Sequence, residues 1–175
     1  QTGAAGAPGR AIEDQNRPAG GGCGGLGDTS FRWMTPNVRV PVLQDGDCAI
    51  WESHAILRDW ATRYGDGSLC PADPSAKAQR DEWMDWTQTT FQPDFLNGVF
   101  WGYYRTPEPQ RNWSAIKDSI RRCGRHIESI DQILANRPFL GGEDFSLADI
   151  PLGSLVSTYY RMDYASHQAK TRAAR

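Results

Sequence analysis

The stretch Arg39–Leu57, RVPVLQDGDCAIWESHAIL, decides how this chain is read. Val38, Val40 and Val42 alternate, which predicts one buried face of a strand, and Asp45-Gly46 within Gln44-Asp45-Gly46-Asp47 is a hairpin signal. A second strand follows at Cys48–Trp51, and Glu52-Ser53 stands at the mouth of a helix. Pro41 falls inside the strand pattern, where a missing N–H breaks the ladder. Proline is tolerated there at an edge, at a bulge or after a cis peptide bond. A cis Val40-Pro41 bond would turn the Val40 backbone outward, with its N–H and C=O open to an extended peptide as an added strand. The N–H groups that begin the helix at Ser53 form a site for a carboxylate. Together these features suit a small peptide with a free carboxylate.

Met34-Thr35-Pro36-Asn37, followed by VPVL, DG, WES and AIL, closely resembles the glutathione-binding half of the glutathione S-transferase family, in its bacterial-type, theta-, phi- and beta-like members. The family pattern is Asn-Pro, Val-Pro-x-Leu, an acidic turn, then Glu-Ser-x-Ala-Ile, and the elements occur here in that order at the expected spacing. The resemblance implies an α+β two-domain fold. Residues 29–65 would be the C-terminal half of a thioredoxin-like domain, 66–75 a linker, and 76–163 an all-α helical domain. Glutathione would be a co-substrate and not a bound cofactor. By the same resemblance Arg39, Val40 and Pro41 hold its peptide backbone, and Glu52 and Ser53 its γ-glutamyl end. The reaction implied is conjugation to a small hydrophobic electrophile, with Tyr103 and Tyr104 at its pocket, in a cytoplasmic homodimer. Two departures stand in the loop that meets the glycine end of glutathione: Thr35 replaces the usual Asn, and Val38 a common Gly. For Ser53 the plain alternative is helix capping, which Ser performs in many proteins; the whole constellation favours ligand binding.

Composition narrows the classes. The 175 residues suffice for one domain or two small ones. With 19 basic and 21 acidic residues the net charge is -2, which argues against a broad nucleic-acid footprint. Mean hydropathy is -0.61, and no apolar run is long enough to span a membrane. The four cysteines (Cys23, Cys48, Cys70, Cys123) form no CxxC pair, so reduced thiols are expected. No His, Cys or carboxylate cluster has metal-ligand spacing, and His126 has no such partner in the sequence.

Residues 1–28 hold nine of the 18 glycines and two prolines, with Ile12 and Leu26 as the large aliphatics, so a disordered segment is expected. The family resemblance implies a βαβ unit ahead of residue 29, carrying the thiol-activating Tyr, Ser or Cys. No such unit is legible in these residues, so a truncated, spliced or out-of-frame start is the expectation and the catalytic residue is unknown. Cys23, within GGGCGG, is the reactive-looking side chain there, in a setting too flexible to position it.

Ser53–Tyr64 reads as a helix with Gly65 as its C-terminal stop. Residues 76–101 read as a long helix kinked at Pro93, ending in the aromatic run Phe100-Trp101-Gly102-Tyr103-Tyr104. Trp113, Ile116, Ile120, Cys123, Ile127, Ile130 and Leu134 form one apolar stripe of a second long helix, which predicts a buried, inert Cys123. Ser146 and Asp149 have the spacing of a shortened capping box, with Phe145 and Ile150 as a hydrophobic staple. Residues 164–175 read as a basic, frayed tail. Besides a transferase, two functions fit: a non-catalytic glutathione-binding or dimerising scaffold, and a thiol oxidoreductase. The last needs an active-site cysteine before the Val-Pro; Cys23 is not where such a motif should lie, so it ranks lowest.

Overall fold

The computed structural model describes residues 29–162. The readings of residues 1–28, Cys23 among them, and of 164–175 lie outside the described residues. The chain divides into two compact units, Gln1–Gly67 and Ser68–Arg175.

In the first unit, helix α1 (Thr29–Met34) leads through Thr35-Pro36-Asn37 to an antiparallel hairpin, β1 (Val42–Asp45) and β2 (Cys48–Trp51). Its register pairs Val42 with Trp51, Leu43 with Ile50, Gln44 with Ala49 and Asp45 with Cys48. Leu43 and Ile50 are half-buried while Gln44 and Ala49 face outward, the period of two expected of a sheet with one covered face. The turn is Gly46-Asp47, one residue later than the sequence reading, because Asp45 is still paired. Gly46 has φ 60, a conformation that glycine supplies without a side-chain clash.

The alternating face expected of Val38, Val40 and Val42 is not formed. Pro41 has no N–H to give to a ladder, so the strand starts after it. Val40 is 56% exposed and Val38 has φ 51. The Val40-Pro41 peptide is cis.

Helix α2 (Ser53–Tyr64) has the expected bounds. It buries His54 and Ala61, and the Tyr64 hydroxyl bonds the Asp45 carboxylate at the end of β1. Gly65 ends the helix, though not as a left-handed cap, since its φ is -78. A Cβ there would stand 2.3 Å from the Ala61 carbonyl oxygen. Glycine is needed for close approach and not for backbone freedom.

The second unit begins with α3 (Pro74–Trp86). Asp73 caps it by accepting from the Ala76 N–H at 2.8 Å, and Pro74 takes the first turn, where an N–H has no acceptor anyway. Pro74 and Ser75 therefore belong to the helix, not to the linker that the sequence suggests. The rod does not stop at Trp101. It passes into a π stretch at Thr87–Phe91, a short α4 at Gln92–Asp94, and a second π stretch at Phe95–Arg105. Pro93 sits in the α4 turn between them. The interruption expected at this proline takes the form of widened turns on either side, which absorb the lost i→i−4 bond.

Helix α5 (Trp113–Leu134), capped by the Asn112 side chain on the Ala115 N–H, packs along the second π stretch. Ile116, Cys123 and Ile130 of the expected stripe are buried, while Leu134 at its end emerges into solvent. Contact is closest at Gly98, where an added Cβ would lie 2.1 Å from Ser119 Cβ. The core joins Phe91, Phe95, Val99, Cys123, Ile130, Leu140, Ala148, Leu152, Tyr159 and Met162. Helix α6 (Asp149–Arg161) supplies Leu152 and Tyr159 to it.

Ser146 and Asp149 act together, but Ser146 precedes a turn and is not itself the helix cap. Asp149 Oδ2 accepts from the Ser146 N–H at 2.9 Å, and Oδ1 reaches the Leu140 N–H at 2.8 Å. One carboxylate thus fastens both the start of α6 and the 139–142 turn. Phe145 meets Phe139 edge-on, with ring centroids 5.9 Å apart.

Candidate functional site

The register of the hairpin builds the candidate site. Val42 pairs with Trp51 as the last rung of the ladder, so Val40-Pro41 directly precedes, and Glu52-Ser53 directly follows, the two strands at the same end of the hairpin. The ladder hydrogen bonds end at this corner. Among the described residues no backbone–backbone hydrogen bond is made by Val40, and the residue is exposed. Arg39 is also exposed there.

Glu52 has φ 71 and ψ 120, outside the regions that L-residues adopt freely. Such conformations cost of order 1–3 kcal/mol and persist where the surroundings enforce them. Glu52 occupies the cap position of α2, yet its side chain accepts no backbone N–H. Ser53 is the first helical residue, so the capping role weighed for it is not realised. The first helical bond is Ile56 N–H to Glu52 C=O at 3.0 Å. The N-terminal end of a twelve-residue helix, with its partial positive charge, is therefore left without a side-chain cap. Val38, at φ 51, shows why glycine is common at that place in the resemblance: the loop bends through left-handed backbone, which a β-branched residue enters only under strain.

The two tyrosines named for a substrate pocket differ in setting. Tyr103 is half-buried, 6.0 Å from Trp113, with the Arg111 guanidinium 4.4 Å above its ring. Arg111 Nε also donates to the Thr106 carbonyl at 3.0 Å, so this cluster fastens the connection into α5. Tyr104 is 58% exposed and lies 6.0 Å from Phe100.

Sequence reasoning missed Asp94. Its carboxylate accepts from Arg122 Nε at 2.6 Å and lies 2.9 Å from His126 Nε2, while its backbone carbonyl accepts from the Ser119 hydroxyl. Burial pushes the Asp94 carboxyl up, but the hydrogen bonds and charges of His126 and Arg122 outweigh it and hold it below the usual range. The three partners are 25 to 32 residues away, so no local signal announces them. His126 thus has a partner, one that ties α5 to α4. Among the described residues no group of three or more His, Cys, Asp or Glu could hold a metal ion. Cys123 is fully buried and its thiol is pushed up to about 12, first by burial and then by the Asp94 charge. No thiol-activating residue is assigned among the described residues.

A partial thioredoxin-like domain followed by a helical domain corresponds to part of the architecture of known structures of one enzyme family. The theta-class glutathione S-transferase of the citrus canker pathogen Xanthomonas axonopodis pv. citri, solved with glutathione bound, matches with a TM-score of 0.75 and 40% identity, over 82% of this chain and 69% of that one. Glutathione S-transferase GstB of Escherichia coli is 32% identical over 137 residues, 77% of this chain and 65% of its own length. Elongation factor 1-gamma of Trypanosoma cruzi is 29% identical over 82% of this chain, which is 34% of that protein. No family model matches the chain. This chain belongs to the glutathione S-transferase family. It spans about two thirds (65%) of the length of its Escherichia coli relative.

Proposed function

We propose that this chain binds reduced glutathione at the corner formed by Val40-Pro41 and Glu52-Ser53, and serves its conjugation to a small hydrophobic electrophile. The observation that carries the reading is Glu52, held at φ 71 between the end of the ladder and the uncapped start of α2. That backbone conformation turns the chain from β2 into α2, and the carboxylate on it is exposed beside a helix N-terminus. The γ-glutamyl end of glutathione carries both an ammonium and a carboxylate. Glu52 would take the ammonium, and the Ser53 hydroxyl with the first α2 N–H groups the carboxylate. The exposed Val40 main chain would pair with the cysteinyl backbone as an added strand, with Arg39 and Pro41 flanking it. In conjugation the glutathione thiol loses its proton, and the thiolate attacks the electrophilic carbon as the leaving group departs with its electron pair. The family resemblance adds a cytoplasmic homodimer to this reading.

The test is calorimetric titration of reduced glutathione into the full chain and into Glu52→Ala/Ser53→Ala. Saturable binding lost in the double variant, with circular dichroism unchanged, supports the site. Equal binding by both proteins, or none by the folded wild type, rejects it. A second reading is a binding or dimerising scaffold without chemistry. The match to a protein named as an elongation factor favours it, since a comparable segment occurs there in a protein not named as a transferase. Turnover of an aryl halide with glutathione separates the two readings: conjugation supports the enzyme, and binding without conjugation the scaffold.

A further inference from the structure

Two arginines of the helical unit are half-buried with no carboxylate to match them: Arg80 on α3, and Arg137 just ahead of the 139–142 turn. The Arg80 stem lies against that turn. A Cβ added at Gly141 would stand 3.4 Å from both its Cγ and its Nε, so glycine there leaves the side chain room. Arg80 Nη1 donates to the Ala76 carbonyl at 2.8 Å, but its Nε is enclosed and meets no acceptor. The Arg137 guanidinium carbon lies 5.9 Å from the centroid of Trp83, which follows Arg80 by three residues on the same side of α3. Arg137 Nε is likewise enclosed without an acceptor. The two cations therefore line one seam, between α3 and residues 137–142. Among the described residues neither forms an ion pair. The half-buried Arg122 shows the ordinary solution, an aspartate at 2.6 Å, and even the exposed Arg63 and Arg121 hold one each.

That distribution inverts the usual one. Water screens an exposed guanidinium and leaves it little need of a partner. A half-buried one has lost part of its hydration, and an enclosed donor without an acceptor calls for an ion or a water. We infer that the seam of Arg80 and Arg137 binds a phosphate group. Because each Nε is enclosed, the phosphate oxygens meet the terminal Nη edges and balance the charge there. Charge sets the class: two guanidinium groups match a dianion, whereas a carboxylate supplies one charge only. The planar N–H forks also suit phosphate oxygens taken two at a time. A free phosphate ion and a phosphate monoester share this chemistry. Every group in the site belongs to the helical unit, and binding there needs nothing from the corner at Glu52-Ser53.

The test is thermal melting of the full chain at pH 8 and constant ionic strength in inorganic phosphate, in glycerol 1-phosphate and in acetate. At ligand about tenfold above half-saturation, the wild type should melt about 3 °C or more higher in one or both phosphates than in acetate. Phosphate also stabilises proteins by exclusion from their surface, an effect common to every variant. The site is therefore read from the part of the rise that Arg80→Gln and Arg137→Gln each lose. Arg121→Gln, which removes an exposed cation on α5, should keep the whole rise. A rise with the ester assigns a phosphate monoester as the ligand, and a rise with inorganic phosphate alone assigns the free ion. Equal melting in phosphate and acetate, or a full rise retained by either seam variant, overturns the proposal. If Arg80→Gln does not fold, Arg137→Gln decides alone.

Discussion

Two residues of the first unit occupy backbone that L side chains avoid, and they do so for different reasons. Val38 at φ 51 sits in a bend where nothing in the proposed chemistry needs its side chain. Val38→Gly should therefore stabilise the protein by about 1 kcal/mol, the relief of strain less the added chain entropy of glycine. Glu52→Gly relieves strain of the same kind at φ 71 but removes the carboxylate. It should raise the urea midpoint while abolishing glutathione binding, and a variant that keeps its affinity would exclude Glu52 from the site. Cys123 illustrates the opposite case, a reactive group made inert. With its thiol pushed up to about 12 and no exposure, it should resist iodoacetamide at pH 8 while exposed Cys48 is alkylated. Peptide mass spectrometry should find Cys123 modified once urea is added.

At the scale of elements, a chain reads well where a partner is close in sequence. Helix α2 has the expected bounds, and the α5 stripe puts Ile116, Cys123 and Ile130 inside because a 3.6-residue period needs no knowledge of the neighbour. Ser146 and Asp149 are legible as a pair at that spacing, but the reach of Asp149 to the Leu140 N–H is not. That second bond raises what is at stake. Asp149→Ala leaves two backbone N–H groups without their acceptor, and should cost about 2 kcal/mol or more. Thermal melting should show a drop of several degrees or more, and normal melting would mean that water replaces the carboxylate without loss. The π stretches were illegible because their cause is the accommodation of Pro93 against α5, a tertiary matter. Pro41 shows a subtler limit: the valines around it have the right period, yet the missing N–H decides where pairing starts.

For the whole molecule, the hairpin and helix start that carry the proposed corner were legible because they follow one another along the chain. The seam between the rod and α5 was not, since Asp94 meets Arg122 and His126 across 28 and 32 residues. This seam gives the helical unit a pH signature. The Asp94 carboxyl is lower in the folded than in the unfolded chain, so the folded state takes up its proton less readily. Its contribution to stability is complete above the ordinary carboxylate range and is lost as pH falls through the lower folded value. Urea midpoints at stepwise lower pH should fall in the wild type and fall less in Asp94→Asn, which starts lower at pH 7. Parallel curves would show that the clamp contributes no charge-dependent stability. The exposure of Arg122 keeps the expected difference small.

Gly98 touches Ser119 so closely that a single carbon would part the two helices, while Trp101, Tyr104 and Arg105, a turn or two further on, are exposed. Close packing and free surface are therefore written in separate letters of one short segment. A lineage could exchange the three exposed residues at little risk to folding, whereas position 98 offers no such licence. Selection for folding from libraries that randomise 101, 104 and 105 should return many different residues there, and libraries that include 98 should return glycine.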